Sequence, residues 1–81
     1  ELNSINYLGM TYYHMKDYPN AIQNYQRALK INPRSKSSAL NLYMAYLSSG
    51  RIDLARQVLE VLDSLHPNDA EVQEKRKLLP D

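Results

Sequence analysis

The chain repeats itself. Displaced by 34 residues and laid over its own copy, the sequence brings Leu8 onto Leu42, Met10 onto Met44, Tyr12 onto Tyr46, Ala21 onto Ala55, and Asn32-Pro33 onto His66-Pro67. A period of this length marks a chain built from stacked supersecondary units, none of which buries its apolar face alone. With 81 residues there is room for one small domain holding two such units and a remainder.

The spacing inside the unit is helical. Ile5, Leu8, Gly9 and Tyr12 form one stripe, and Ala21, Ile22, Tyr25, Ala28 and Leu29 form another. Gly9, Ala21 and Ala28 are small where two helices must approach closely, and aromatic rings fill the gaps left by that approach. The spacing predicts a helix over Leu2 to Met15 with Ile5, Leu8 and Tyr12 as its core stripe. Lys16-Asp17-Tyr18-Pro19 breaks it from a second helix, where Pro19 is tolerated because first-turn amides lack helical partners. Pro33 ends the second helix. A third begins around Ser35 to Ser38 and runs to Ser49, with Gly50 as a left-handed cap. A fourth spans Ile52 to Leu65 and stops at Pro67. Asn68 followed by Glu71 has the spacing of a capping box, predicting a fifth helix from Asp69 to about Leu79.

With this order of Leu8-Gly9, Tyr12, Asp17-Tyr18, Ala21, Tyr25-Gln26, Ala28-Leu29 and Pro33, the chain resembles the tetratricopeptide repeat family of 34-residue helix-turn-helix units. The resemblance implies an all-α fold: a right-handed α-solenoid of two hairpins, residues 2–35 and 36–69, plus a C-terminal solvating helix over 69–79, in a single domain spanning 1–81. The second unit departs from the family pattern at Tyr43, where Gly or another small residue is preferred, and at Leu62, where Ala is. Both departures predict a splayed or remodelled second hairpin. Arg76 stands where a third unit would bury a Leu, which marks the last helix as a solvating one. The pentatricopeptide repeats, 35-residue RNA-binding relatives, fit less well because the offset is 34 and the turn Pro recurs in register.

Composition narrows the function. There is no Cys, so neither a disulfide framework nor a thiolate metal site exists. The longest nearly apolar run, Ala39 to Leu47, is interrupted by Asn41 and falls well short of the roughly 20 residues of a membrane span. The start, Glu-Leu-Asn-Ser, does not read as a signal peptide. Net charge is +1, against the large positive excess usual in nucleic-acid binders. The charges are segregated, however. No acidic residue lies between Tyr18 and Ile52, which hold Arg27, Lys30, Arg34, Lys36 and Arg51, whereas Asp53 to Glu74 carries six acids against Arg56 alone. His14 and His66 have no ligand-like spacing, Glu60 and Asp63 at i, i+3 without basic partners suggest solvent exposure, and no phosphate loop or nucleophile elbow is present. The expectation is therefore a chain that is no enzyme, carries no catalytic residue, metal or cofactor, binds no nucleic acid and does not insert into membranes.

What remains is an interaction surface. Stacked hairpins curve so that the first helix of each unit lines the inner side. On the first helix Asn3, Asn6, Tyr7, Met10, Tyr13 and His14 lie off the core stripe; one repeat on, the equivalent positions are Ser37, Leu40, Asn41, Met44, Leu47 and Ser48. These twelve are the candidate partner-binding residues, with Asn6 and Asn41 holding a peptide backbone and Met supplying adaptable walls. Leu40, Met44 and Leu47 also fit a second core stripe, and the sequence leaves that open. The two-carboxylate clamp that the family uses for acidic chaperone tails finds Asn6, Met10, Asn41, Glu71 and Lys75 at its five places; Glu71 would repel a carboxylate, so the clamp is not expected. The reading is a non-catalytic protein-interaction or scaffold module that takes a peptide or partner segment in its concave groove. The alternative is self-association through exposed solenoid ends or complementary charge. A third reading is RNA binding by the Arg27 to Lys36 stretch, with affinity falling steeply in salt.

Overall fold

In the computed structural model, which describes residues 2–80, five helices follow one another: α1 (Leu2–His14), α2 (Tyr18–Ile31), α3 (Lys36–Ser48), α4 (Ile52–Leu65) and α5 (Ala70–Arg76), with no strand among the described residues. The fold is all-α, a helical repeat of solenoid type. Helices α1 and α2 form one hairpin and α3 and α4 the next; α3 packs against both α2 and α4, so the two units share a continuous core.

The helix ends follow from local chemistry. Asp17 caps α2 by accepting from the Asn20 amide, Ser35 caps α3 by accepting from the Ser38 amide at 3.2 Å, and Asp69 caps α5 by accepting from the amides of Glu71 and Val72. The cap of α5 is thus Asp69 rather than the expected Asn68, which instead takes a left-handed φ of 61° in the turn before it. Both hairpin turns close in the same way. The Asp17 amide donates to the Tyr12 carbonyl at 2.9 Å and the Arg51 amide to the Tyr46 carbonyl at 2.8 Å, with the intervening residue left-handed in each case, Lys16 at φ 64° and Gly50 at φ 80°. Helix α1 stops at His14, one residue before expectation, because Met15 and Lys16 already belong to this turn.

The core is built around Ala21, Ile22, Tyr25, Leu40, Leu42, Tyr43, Tyr46, Leu59, Leu62 and Val72. Tyr12, expected in the core, is half-buried against it, as is Tyr18. The core stripe of α1 differs from expectation: Leu8 is 45% exposed, and the buried positions are Asn6 and Gly9. Leu42, the repeat equivalent of Leu8, is buried on α3, which has α2 before it; among the described residues no helix precedes α1.

Tyr43, where the family prefers a small residue, is fully buried, and its hydroxyl donates to the Lys75 carbonyl at 2.6 Å in the last turn of α5. The larger side chain is thus accommodated in the core and binds the terminal helix. Lys36 at the start of α3 pairs with Asp69 at 3.0 Å and Glu71 at 3.3 Å. The hydrogen bond from Lys36, then the Val72 amide, hold the Asp69 carboxyl below the usual range. Arg76 pairs with Asp63, which corrects the expectation that Asp63 has no basic partner: that partner comes from α5, not from its own helix. α-Helical bonding ends at Arg76 rather than Leu79; the amides of Lys77, Leu78 and Leu79 make shorter-range bonds to the carbonyls of Glu74, Lys75 and Arg76, tightening the last turn.

Candidate functional site

Helices α1 and α3 lie next to each other on one side of the array, as the repeat dictates, and between them are two adjoining hollows. One, of about 190 Å³, is walled by Met10, Tyr13, His14, Tyr25, Asn41 and Met44. The other, of about 290 Å³, is walled by Asn3, Asn6, Tyr7, Met10, Ser37 and Asn41. Met10 and Asn41 border both, which makes the two hollows one groove with a waist.

Each wall is set by its helix. Met10 and Met44 are repeat equivalents and meet across the first hollow. Tyr13 is held from three directions: its hydroxyl shares a 2.7 Å hydrogen bond with Ser48, and its ring meets Tyr18 edge-on at 5.5 Å and His14 at 5.8 Å. It is thereby fixed as a wall. Asn6 is buried, and its carbonyl oxygen accepts from the Ser38 hydroxyl at 3.0 Å; that hydroxyl also accepts at 3.0 Å from Ser35. Asn6 therefore does not project freely from α1, as the helical wheel suggested. Its carbonyl oxygen ties α1 to the start of α3, and the residue borders the second hollow. Asn41 differs, for its half-buried side chain makes no hydrogen bond within the described residues.

Nine of the twelve residues chosen from the sequence border the hollows, while Leu40, Leu47 and Ser48 do not. Leu40 is 5% exposed and belongs to the core, Leu47 packs half-buried against it, and Ser48 buttresses Tyr13. Met44 also touches the core while bordering the first hollow, so the stripe divides between the two roles. The residue the sequence missed is Tyr25. Though it sits on α2, its ring passes Gly9, where a Cβ would lie 2.6 Å from its Cε1, and reaches the floor of the first hollow. The signal was Gly9 itself, since a missing side chain in a packed helix face means that something large from the partner crosses it. Burial, and then the neighbouring Tyr13, push the Tyr25 hydroxyl up to about 12, so it remains a neutral hydrogen-bonding group.

No Lys, Arg, Asp or Glu borders either hollow. Apolar walls with amide and hydroxyl groups suit an uncharged peptide segment, since Asn both donates to and accepts from a peptide bond. Among the described residues no group of three or more His, Asp or Glu is placed to hold a metal ion, and no helix is long and apolar enough to cross a membrane.

A search of characterised proteins finds no match. The tetratricopeptide repeat family model matches residues 12–79, and such repeats generally mediate protein–protein interactions. With its 34-residue period, its paired helices and this match over most of its length, the chain belongs to the tetratricopeptide repeat family.

Proposed function

We propose that the chain is a non-catalytic interaction module whose groove between α1 and α3 holds an extended, uncharged segment of another protein. The observation that carries this reading is Asn41: an amide without an intramolecular partner, placed at the waist where both hollows meet. A polar side chain left unpaired beside apolar walls is poised to bond a peptide unit, and here it would do so while Met10, Tyr13 and Met44 receive an apolar side chain. Across a molecule 28 Å long, an extended segment of about eight residues spans the face.

The test is selection from a random peptide display library with the wild-type protein as bait. Expected are peptides with an apolar residue at their centre and few charges, whose affinity falls about tenfold with Asn41→Ala, a loss of about 1.4 kcal/mol, and more with Met10→Glu. Both positions lie outside the buried core, so helicity and melting are expected to stay near wild type. Selected peptides that bind the two variants as well as wild type overturn the reading.

A further inference from the structure

The opposite side of the array carries a second surface, made by the outward faces of α2 and α4, the second helices of the two units. Because they are repeat equivalents, their exposed faces lie on one side. The contacts of each helix fix its orientation: Gln26 reaches forward to the Tyr46 hydroxyl on α3 at 3.1 Å, and Asp63 reaches forward to Arg76 on α5. At about 100° per residue, α2 then shows Gln23, Arg27 and Lys30 outward. α4 shows Leu54 and Val61 on the flank turned back toward α2, and Asp53, Arg56 and Glu60 on the flank turned toward α5, where two acids outweigh one cation whose guanidinium donates to the Pro80 carbonyl at 3.5 Å. Leu54 is 37% and Val61 54% exposed. Across this face the order is basic, apolar, acidic.

None of these charges is neutralised within the chain. Lys30, Asp53 and Glu60 enter no ion pair or hydrogen bond among the described residues, and Arg27 donates only to the neutral Asn24 carbonyl oxygen at 3.3 Å. Lys36 and Arg76, by contrast, are used internally, in pairs with Asp69 and Asp63.

A surface ordered in this way is complementary to itself. A two-fold axis parallel to the helices and passing along Val61 exchanges its two flanks, setting the basic flank of one copy against the acidic flank of the other, twice, with the apolar strip in the middle. The heights also match: Glu60 stands at the level of Gln26 in the repeat, one residue from Arg27 and four from Lys30. A two-fold axis perpendicular to the helices instead opposes like charges. We propose that this face pairs with the same face of a second copy of the chain, through Leu54 and Val61 at the centre and Glu60 against Arg27 and Lys30 at both flanks.

Two 14-residue helices side by side offer on the order of 400 Å² per copy, about half of what a standard stable interface occupies. The dimer is therefore weak, concentration-dependent and, because its flanks are ionic, sensitive to salt. Sedimentation equilibrium from about 10 μM to about 1 mM, at low and at high salt, reads it directly. Expected is a monomer–dimer equilibrium that high salt weakens and that Glu60→Lys or Arg27→Glu/Lys30→Glu each weakens at least tenfold, with circular dichroism confirming that both variants fold. Mixing those two variants restores association, because each reversed flank then meets its complement. A protein that stays monomeric at about 1 mM in low salt, a dimer indifferent to Glu60→Lys, or one broken instead by Met10→Glu in the groove overturns the proposal.

Discussion

The two hairpins solve the same packing problem with opposite assignments of bulk. In the first, the small residue is Gly9 on the first helix and the ring is Tyr25 on the second; in the second, the equivalent positions hold Tyr43 and Leu59. All four are buried. The difference lies in where each ring sends its hydroxyl. Tyr25 crosses Gly9 toward the groove, and Tyr43 bonds the last turn of α5. One template thus builds a groove floor at one end and a dock for the terminal helix at the other, and exchanges at two facing positions of the repeat accompany the difference.

Breaking the second arrangement has the largest expected effect. Tyr43→Ala removes a fully buried ring and is expected to cost about 3–5 kcal/mol, with loss of protection in α5 ahead of the rest in hydrogen exchange. Tyr43→Phe removes only the bond to the Lys75 carbonyl, for about 1 kcal/mol. Equal effects would show that the hydroxyl, not the ring, holds α5.

The first arrangement breaks by titration and by crowding. The Tyr25 hydroxyl is raised to about 12 in the fold, while the unfolded chain ionises near the ordinary value of 10.0. Between these pH values the unfolded state binds fewer protons than the native one, so stability falls as pH rises, by about 2–3 kcal/mol in total from this group. Urea titrations from pH 9 to 11.5 check the sign, and Tyr25→Phe is expected to remove most of the slope. Tyr43 is raised by burial too, but Arg76 and Arg56 oppose the shift, so Tyr43→Phe removes less of it. Gly9→Ala places a Cβ 2.6 Å from the buried Tyr25 ring, which must shift to admit it, for a loss of about 1–3 kcal/mol. Pairing it with Tyr25→Leu, which imitates Leu59, is expected to recover part of that loss in a double-mutant cycle. Strict additivity would mean that Gly9 is needed for some other reason.

The same contrast explains what could be read in advance. Helices, turns and hairpin pairing were legible because Gly9, Ala21, Ala28, Pro33 and Gly50 each satisfy a local geometric demand visible at short range. Most of the groove wall was legible because it is what remains of α1 and α3 once a core stripe is subtracted. Apart from helix ends displaced by one to three residues, such as the α5 cap at Asp69 instead of Asn68, the failures concern side-chain environments. Asn6 is tied down by a hydroxyl 32 residues away, Asp63 is neutralised from α5, and Leu8 is exposed although its repeat equivalent Leu42 is buried. A repeat predicts equivalent residues, not equivalent surroundings.

The turns give the smallest and cleanest comparison, because backbone geometry is held constant while chemistry changes. Asp17 and Arg51 cap α2 and α4 with nearly the same conformation, φ −89°, ψ 74° and φ −89°, ψ 69°, yet only Asp17 supplies a side-chain acceptor. The residues before them, Lys16 and Gly50, are both left-handed, and only Gly50 is free of the steric cost that an L side chain carries there. Each turn therefore holds one favourable choice and one unfavourable one, in opposite places. Exchanging the unfavourable residue for its counterpart is expected to stabilise: Arg51→Asp by about 0.5–1 kcal/mol through a new cap and an anion at the helix N-terminus, and Lys16→Gly by less, because glycine also frees the unfolded chain. For a domain of this size about 1 kcal/mol moves Tm by roughly 4–8 °C, which thermal unfolding by circular dichroism resolves. Arg51 borders neither hollow, so peptide binding is expected to be unchanged. A rise in Tm with Arg51→Asp and none with Asp17→Ser, which keeps an acceptor, would show that capping rather than net charge separates the two turns; a rise that high salt abolishes would assign it to charge.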